Sequence, residues 1–121
     1  MVPASIEAPR IVRLLENCPL PLGDEKLLQE QTASALDAAG LIFERERRLS
    51  PHDIVDFLIE DGIALEMKIK GGRFAIYRQC ERYCGFDAVH GLILATNVAM
   101  SLPPAINGKP TSVALLGRGW L

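Results

Sequence analysis

The stretch at residues 54–70, IVDFLIEDGIALEMKIK, constrains the fold more than any other part of the chain. It reads as two short strands joined by a tight turn, with acids and lysines set among apolar side chains. Residues 54–59 and 63–69 are rich in β-branched and large apolar residues, and Glu60-Asp61-Gly62 between them is turn chemistry. Side chains alternate faces along a strand, so Glu66 and Lys68 share one face while Leu65, Met67 and Ile69 take the other. If Glu60, Asp61 and Gly62 form a three-residue loop, Ile59 pairs with Ile63, and counting back sets Asp56 across from Glu66. Two carboxylates and a lysine then lie on one face. A two-residue Asp61-Gly62 turn shifts the register by one and separates the two acids. On these residues alone, the same face also fits the solvated side of an ordinary amphipathic hairpin. Phe57, Leu58 and Ile59 in a row leave little room for a polar face, so the first strand is expected to be buried on both sides. A buried acid needs a partner.

The rest of the chain bounds what such a hairpin can serve. With 121 residues, 49% of them hydrophobic and 23% charged, residues 1–121 are expected to form a single soluble domain that needs no covalent staples. No run of about twenty apolar residues occurs, so no membrane partner is expected. Cys18, Cys80 and Cys84 are an odd number, which argues against a disulfide framework, and the N-terminus lacks a basic region followed by an apolar core; both features point to the cytoplasm. A formal net charge of −2 gives no bulk attraction to nucleic acid. Any such affinity must come from a local basic patch, or from metal ions that invert the charge of an acidic site.

Ahead of the hairpin, residues 6–17 carry Ile11, Val12, Leu14 and Leu15 at helical spacing, and Cys18-Pro19-Leu20-Pro21 ends that helix. Asp24 is expected to cap a second helix at 25–39, with Leu28, Thr32, Ala35, Leu36 and Ala39 as its apolar stripe and Gly40 as its stop. Glu25 lies near the edge of that stripe and Glu30 nearly opposite, which makes Glu25 the acid that faces inward. On this helix alone, Glu25 reads more readily as a first-turn acid favoured by the helix dipole. Residues 41–48 alternate and are expected to start the sheet, and His52 falls in a loop.

Beyond the hairpin, residues 74–83 have helical spacing, with Phe74, Ala75, Tyr77 and Cys80 as the expected buried stripe. Gln79 and Tyr83 are one turn apart, as are Arg78 and Arg82. Between residues 68 and 82, Lys68, Lys70, Arg73, Arg78 and Arg82 stand against Glu81 alone, a patch suited to phosphate or, more plainly, a solvated helix face. Cys80 and Cys84 lack the further ligands of a zinc site and read as buried thiols. Residues 92–95 are expected to form a short buried strand, Asn107-Gly108-Lys109-Pro110 a turn, and residues 111–116 a last strand.

The order of these pieces resembles the PD-(D/E)XK nuclease superfamily: a helix with an acid, a strand, Asp56, the hairpin, Glu66-Met67-Lys68, a helix with Gln79, then a buried strand. Val55-Asp56-Phe57 matches the aspartate element, Leu65-Glu66-Met67-Lys68 the E-x-K element, and Gln79-Cys80-Glu81-Arg82-Tyr83 the Q-x-x-x-Y element of the RecB-type branch. The likeness covers residues from about 25 to 97. Val55 stands where the family pattern has proline, and either Glu25 or Glu30 could be the helix acid. The resemblance implies an α/β, restriction-endonuclease-like three-layer core, a small mixed sheet flanked by helices, and a magnesium- or manganese-dependent nuclease site. Asp56, Glu66 and the Met67 carbonyl would be the metal ligands, with Glu25 completing the shell directly or through water. Lys68 would orient the attacking water or take part in its deprotonation, and Gln79 would hold the nucleophile or a phosphate oxygen. Lys70, Arg73, Arg78 and Arg82 would contact the nucleic-acid backbone, and Tyr83 would stack on or hydrogen-bond to it.

The expected activity is therefore metal-dependent hydrolysis of phosphodiester bonds, with DNA as substrate. So short a chain leaves little beyond a bare core, and substrate grip would draw on a homodimer or a partner protein. The alternatives are a non-cutting nucleic-acid-binding or assembly subunit of the same fold, and an unrelated small α/β protein whose acids and lysine are merely solvated.

Overall fold

The computed structural model describes residues 4–120. Helices α1 (Ala4–Glu16) and α2 (Glu25–Ala38) lead into strands β1 (Phe43–Ser50), β2 (Asp53–Ile59) and β3 (Ile63–Lys68). Helix α3 (Arg73–Tyr83) comes next, then β4 (Gly91–Thr96), β5 (Ala105–Ile106), β6 (Lys109–Leu115) and a 3-10 turn at Arg118–Trp120. The strands form one sheet in the order β1-β2-β3-β4-β6-β5. Its first three strands are an antiparallel meander, β3, β4 and β6 run parallel, and β5 folds back antiparallel on β6. The protein is thus α/β, with a six-stranded mixed sheet and three α-helices among the described residues. Among the described residues no helix is long and apolar enough to cross a membrane.

Two hydrophobic clusters, one per face of the sheet, make three layers. Ile11 and Leu15 of α1 and Leu28 and Leu36 of α2 pack on Phe57, Ile59, Ile63, Leu65 and Ile93. Ile76, Cys80 and Tyr83 of α3 pack on Ala64, Leu92 and Leu94 from the other side. β4 is buried along its whole length and β3 along all but Lys68, as parallel strands covered by helices on both faces must be. The double burial expected of β2 belongs instead to β3. In β2, which lies next to the edge strand β1, burial alternates, with Ile54 43% exposed and Leu58 only partly covered.

The hairpin takes the three-residue loop. Ile59 pairs with Ile63, and Asp61 and Gly62 adopt φ of 72° and 85°. A Cβ at Gly62 would come 2.7 Å from the His90 ring, so only glycine fits this left-handed position against its neighbour. The Gly62 carbonyl accepts from the backbone N–H groups of His90 (2.8 Å) and Gly91 (3.3 Å), which moors the turn to the start of β4 and sets the β3–β4 register.

The helices match the sequence less evenly. Asp24 caps α2 as expected, accepting from the Leu27 N–H at 3.1 Å, and Leu28, Thr32 and Leu36 form its buried stripe, joined by Ala33 rather than by Ala35 and Ala39. In α3 the expected stripe is overturned. Ile76, Cys80 and Tyr83 face the sheet at i, i+4 and i+7, whereas Phe74 is 71% exposed and Ala75 is exposed. Both stripes contain Cys80, so periodicity alone leaves the helix free to rotate. The phase that wins lets the Tyr83 hydroxyl donate to the Ile54 carbonyl at 2.8 Å.

Candidate functional site

β3 carries unlike ladders on its two flanks. With β4 it is paired from Ile63↔Gly91 to Lys68↔Thr96, whereas with β2 the pairing runs only from Ile59↔Ile63 to Phe57↔Leu65. Past that point carboxylate oxygens replace main-chain carbonyls as acceptors. The Asp56 N–H donates to Glu66 Oε1 at 3.2 Å, and the Met67 N–H donates to Asp56 Oδ2 at 2.8 Å. On the other side of β2, the ladder with β1 runs Arg45↔Phe57 and Arg47↔Val55, skipping Glu46, which sits at φ 49°. At Asp56, therefore, the β2–β3 ladder has ended and the β1–β2 ladder omits one pair before resuming in the same register. Val55 packs in the α3-side cluster while Phe57 and Ile59 pack on the opposite face, so strict alternation fails at Asp56 too.

That irregularity lets Asp56 meet both Glu66 and helix α2. The Gln29 side-chain amide donates to Asp56 Oδ1 at 3.0 Å. Lys68 Nζ lies 3.4 Å from Glu66 Oε2, and the Lys68 carbonyl is tied down by the buried Thr96 hydroxyl at 2.6 Å. Asp56, Glu66, Met67 and Lys68 border a cavity of about 80 Å³ closed from the α2 side by Gln29 and Glu25. That volume admits a few waters or a partly hydrated ion, since a liquid water occupies about 30 Å³. Of the two candidate helix acids, Glu25 borders this cavity and Glu30 is exposed elsewhere on α2.

Burial decides the electrostatics. Desolvation raises the Asp56 pKa against the opposing pull of the Met67 N–H and Lys68. Burial, then the charge of Asp56, pushes Glu66 up to about 7, with Lys68 pulling the other way. Two desolvated carboxyls thus share one ammonium, and an added cation would relieve the imbalance. The donors are hard oxygens without nitrogen or sulfur, a set that fits Mg²⁺ or Mn²⁺. Among the described residues no three His, Cys, Asp or Glu side chains gather into a ready-made cation cage. Glu25 stands exposed at the rim, so its part in holding an ion would run through water.

Other residues singled out in the sequence fall outside the cavity. Gln79 donates to the Tyr83 hydroxyl at 2.9 Å, and that hydroxyl in turn donates to Ile54, so Gln79 braces the start of β2 and does not line the Asp56–Glu66 cleft. Tyr83 is fully buried and has no face on which a base could stack; burial and the nearby Glu66 and Asp56 carboxylates keep it protonated. The Arg82 Nε donates to Asp53 Oδ1 at 3.0 Å, an ion pair that holds α3 to β2 and leaves Arg82 less free for phosphate. Lys70, Arg73 and Arg78 are exposed. Cys80 and Cys84 are free buried thiols, as expected, and burial pushes Cys80 up to about 12. Sequence reasoning missed Gln29 and Thr96. Gln29 lies one helical turn beyond Glu25, which was the signal available for it.

No protein-family model matches the chain, and no curated protein or solved structure is significantly similar to it.

Proposed function

We propose that this protein is a divalent-metal-dependent nuclease of the PD-(D/E)XK type that hydrolyses phosphodiester bonds in DNA. The observation that carries the reading is the desolvated Asp56–Glu66 pair with Lys68 beside it, held in a small cavity by N–H groups that a continuous ladder would have consumed. The element order supports it as well: an acid-bearing helix, a three-stranded meander, a helix with Gln79 and Tyr83, and a parallel strand beside the hairpin are a small mixed sheet with flanking helices, as the resemblance implies.

In this reading Asp56 and Glu66 would hold Mg²⁺ or Mn²⁺, whose chemistry when bound would be to offset negative charge on the phosphate oxygens. The Lys68 ammonium, 30% exposed at the cavity mouth, orients the attacking water by donating a hydrogen bond to its oxygen. Thr96 and Gln29 act indirectly, the first by fixing the Lys68 backbone and the second by fixing Asp56 Oδ1.

The test is cleavage of plasmid and linear DNA with Mg²⁺ or Mn²⁺, compared with chelator. Lys68→Ala is expected to lower the rate by about 10²–10⁴-fold while DNA binding stays largely in place. Cleavage that survives both chelator and this substitution would remove the mechanism. A non-cutting binding subunit is favoured by one observation, the lack of a third converging acid among the described residues. Its signature would be salt-dependent binding with no turnover under any divalent ion.

A further inference from the structure

Phe74 is the most exposed large apolar side chain among the described residues, at 71%. It stands in the first turn of α3, six residues after Lys68. Isolated apolar residues on a surface are ordinary. This one has company. The Arg78 guanidinium lies over its ring at 4.7 Å from the centroid, and Tyr77, Met100 and Arg73 line the same groove. Lys70, Arg73 and Arg78 make no ion pair among the described residues, in contrast to Arg82. An aromatic ring backed by a guanidinium and flanked by unpaired cations suits a polyanion whose charged backbone alternates with flat rings.

We infer, resting on the nuclease reading above, that this patch is a base-stacking platform and that the site takes single-stranded stretches, frayed ends or flaps in preference to intact duplex. Bases inside a duplex already have both faces stacked, so only an unstacked base can settle on Phe74. Arg78 covers one part of the ring and the remaining exposed surface is what a base would meet. Lys70 and Arg73 take the neighbouring phosphates. Six residues span at most about 20 Å, so a strand held at Phe74 presents a phosphodiester to the Asp56–Glu66 cavity within a few nucleotides. A second copy of this chain fits the groove poorly, because it would bring the same cations face to face.

Fluorescence anisotropy in chelator, with labelled single-stranded and duplex oligonucleotides of equal length, separates binding from cutting. The wild-type chain is expected to bind the single strand more tightly. Phe74→Ala should weaken single-strand binding by about tenfold or more and change duplex binding by less than about twofold, with Phe74→Trp restoring the preference. Equal losses on both substrates would overturn the platform, as would no loss on either, or self-association in sedimentation that depends on Phe74. The two readings fail apart from one another. Phe74-dependent single-strand binding by a protein that cuts nothing with Mg²⁺ or Mn²⁺ sinks the nuclease and keeps the platform; metal-dependent duplex cutting indifferent to Phe74 does the reverse.

Discussion

The two flanks of β3 show how one strand can be both scaffold and site. Toward β4 it is paired along its whole length and covered on both faces; toward β2 it is paired for three residues and then parts from its neighbour. The parallel flank fixes where Glu66 and Lys68 sit along the sheet. The antiparallel flank supplies what a finished ladder would lack, free N–H groups that hold Asp56 and Glu66 as acceptors, and a cavity between them. Local rules broken against a well-packed background are where function is expected to lie.

If that division holds, a change on the closed flank should damage stability and one on the open flank should damage chemistry. Leu94 pairs with Glu66 across the parallel ladder and is fully buried, so Leu94→Ala is expected to destabilise the fold by about 2–5 kcal/mol in denaturant titration. Asp56→Asn keeps an acceptor for the Met67 N–H and removes a charge that burial disfavours. Its stability should stay within about 1 kcal/mol of wild type while the proposed cleavage is lost. An Asp56→Asn variant as unstable as Leu94→Ala would erase the distinction between the flanks.

The next effect sharpens the comparison by pH. Glu66 has a folded pKa raised from 4.5 to about 7, so its protonated form is the one the fold prefers. A carboxyl of this kind contributes stability that is fully present below its unfolded pKa and is lost as pH rises through the folded one. Metal-free protein should therefore lose on the order of 2–3 kcal/mol between pH 4.5 and about 7, and Glu66→Gln should flatten that part of the profile. A wild-type curve as flat as the variant's would mean that Glu66 is better solvated than its burial indicates.

The same contrast explains what could be read before the structure. A turn at Glu60-Asp61-Gly62 was legible from its composition, but not whether it takes two residues or three; counting sets Asp56 across from Glu66 only with the three-residue loop, which is the one observed. Counting cannot reveal the break in alternation at Asp56, because a strand that irregularly re-aims one residue has the same composition as one that does not. Nor could it choose the phase of α3: Phe74 and Ile76 are both acceptable core residues, and the phase observed is the one in which the Tyr83 hydroxyl donates to the Ile54 carbonyl of β2. Gln79 was placed on the right helix but assigned to the cleft, since sequence spacing records which residues share a helix face and not how deep the helix sits.

The smallest effect lies in the support of the open flank from α2. Gln29 is the one helix side chain hydrogen-bonded to Asp56 among the described residues, donating to Oδ1 at 3.0 Å while the backbone of Met67 holds Oδ2. Without that amide, Asp56 keeps its backbone bond and its place in the strand, so the fold should lose only about 0.5–1.5 kcal/mol. The carboxylate plane is then free to rotate, and a cation held by Asp56 and Glu66 should bind about tenfold more weakly, the lower end of the loss expected on removing a residue that orients a metal ligand. Calorimetric titration of Mn²⁺ into Gln29→Ala reads this directly. Glu30→Ala is the matched control, since Glu30 lies one position along the same helix, is exposed and does not border the cavity. Equal Mn²⁺ affinities for the two variants would mean that α2 merely covers the open flank, and that the strands alone set the aim of Asp56.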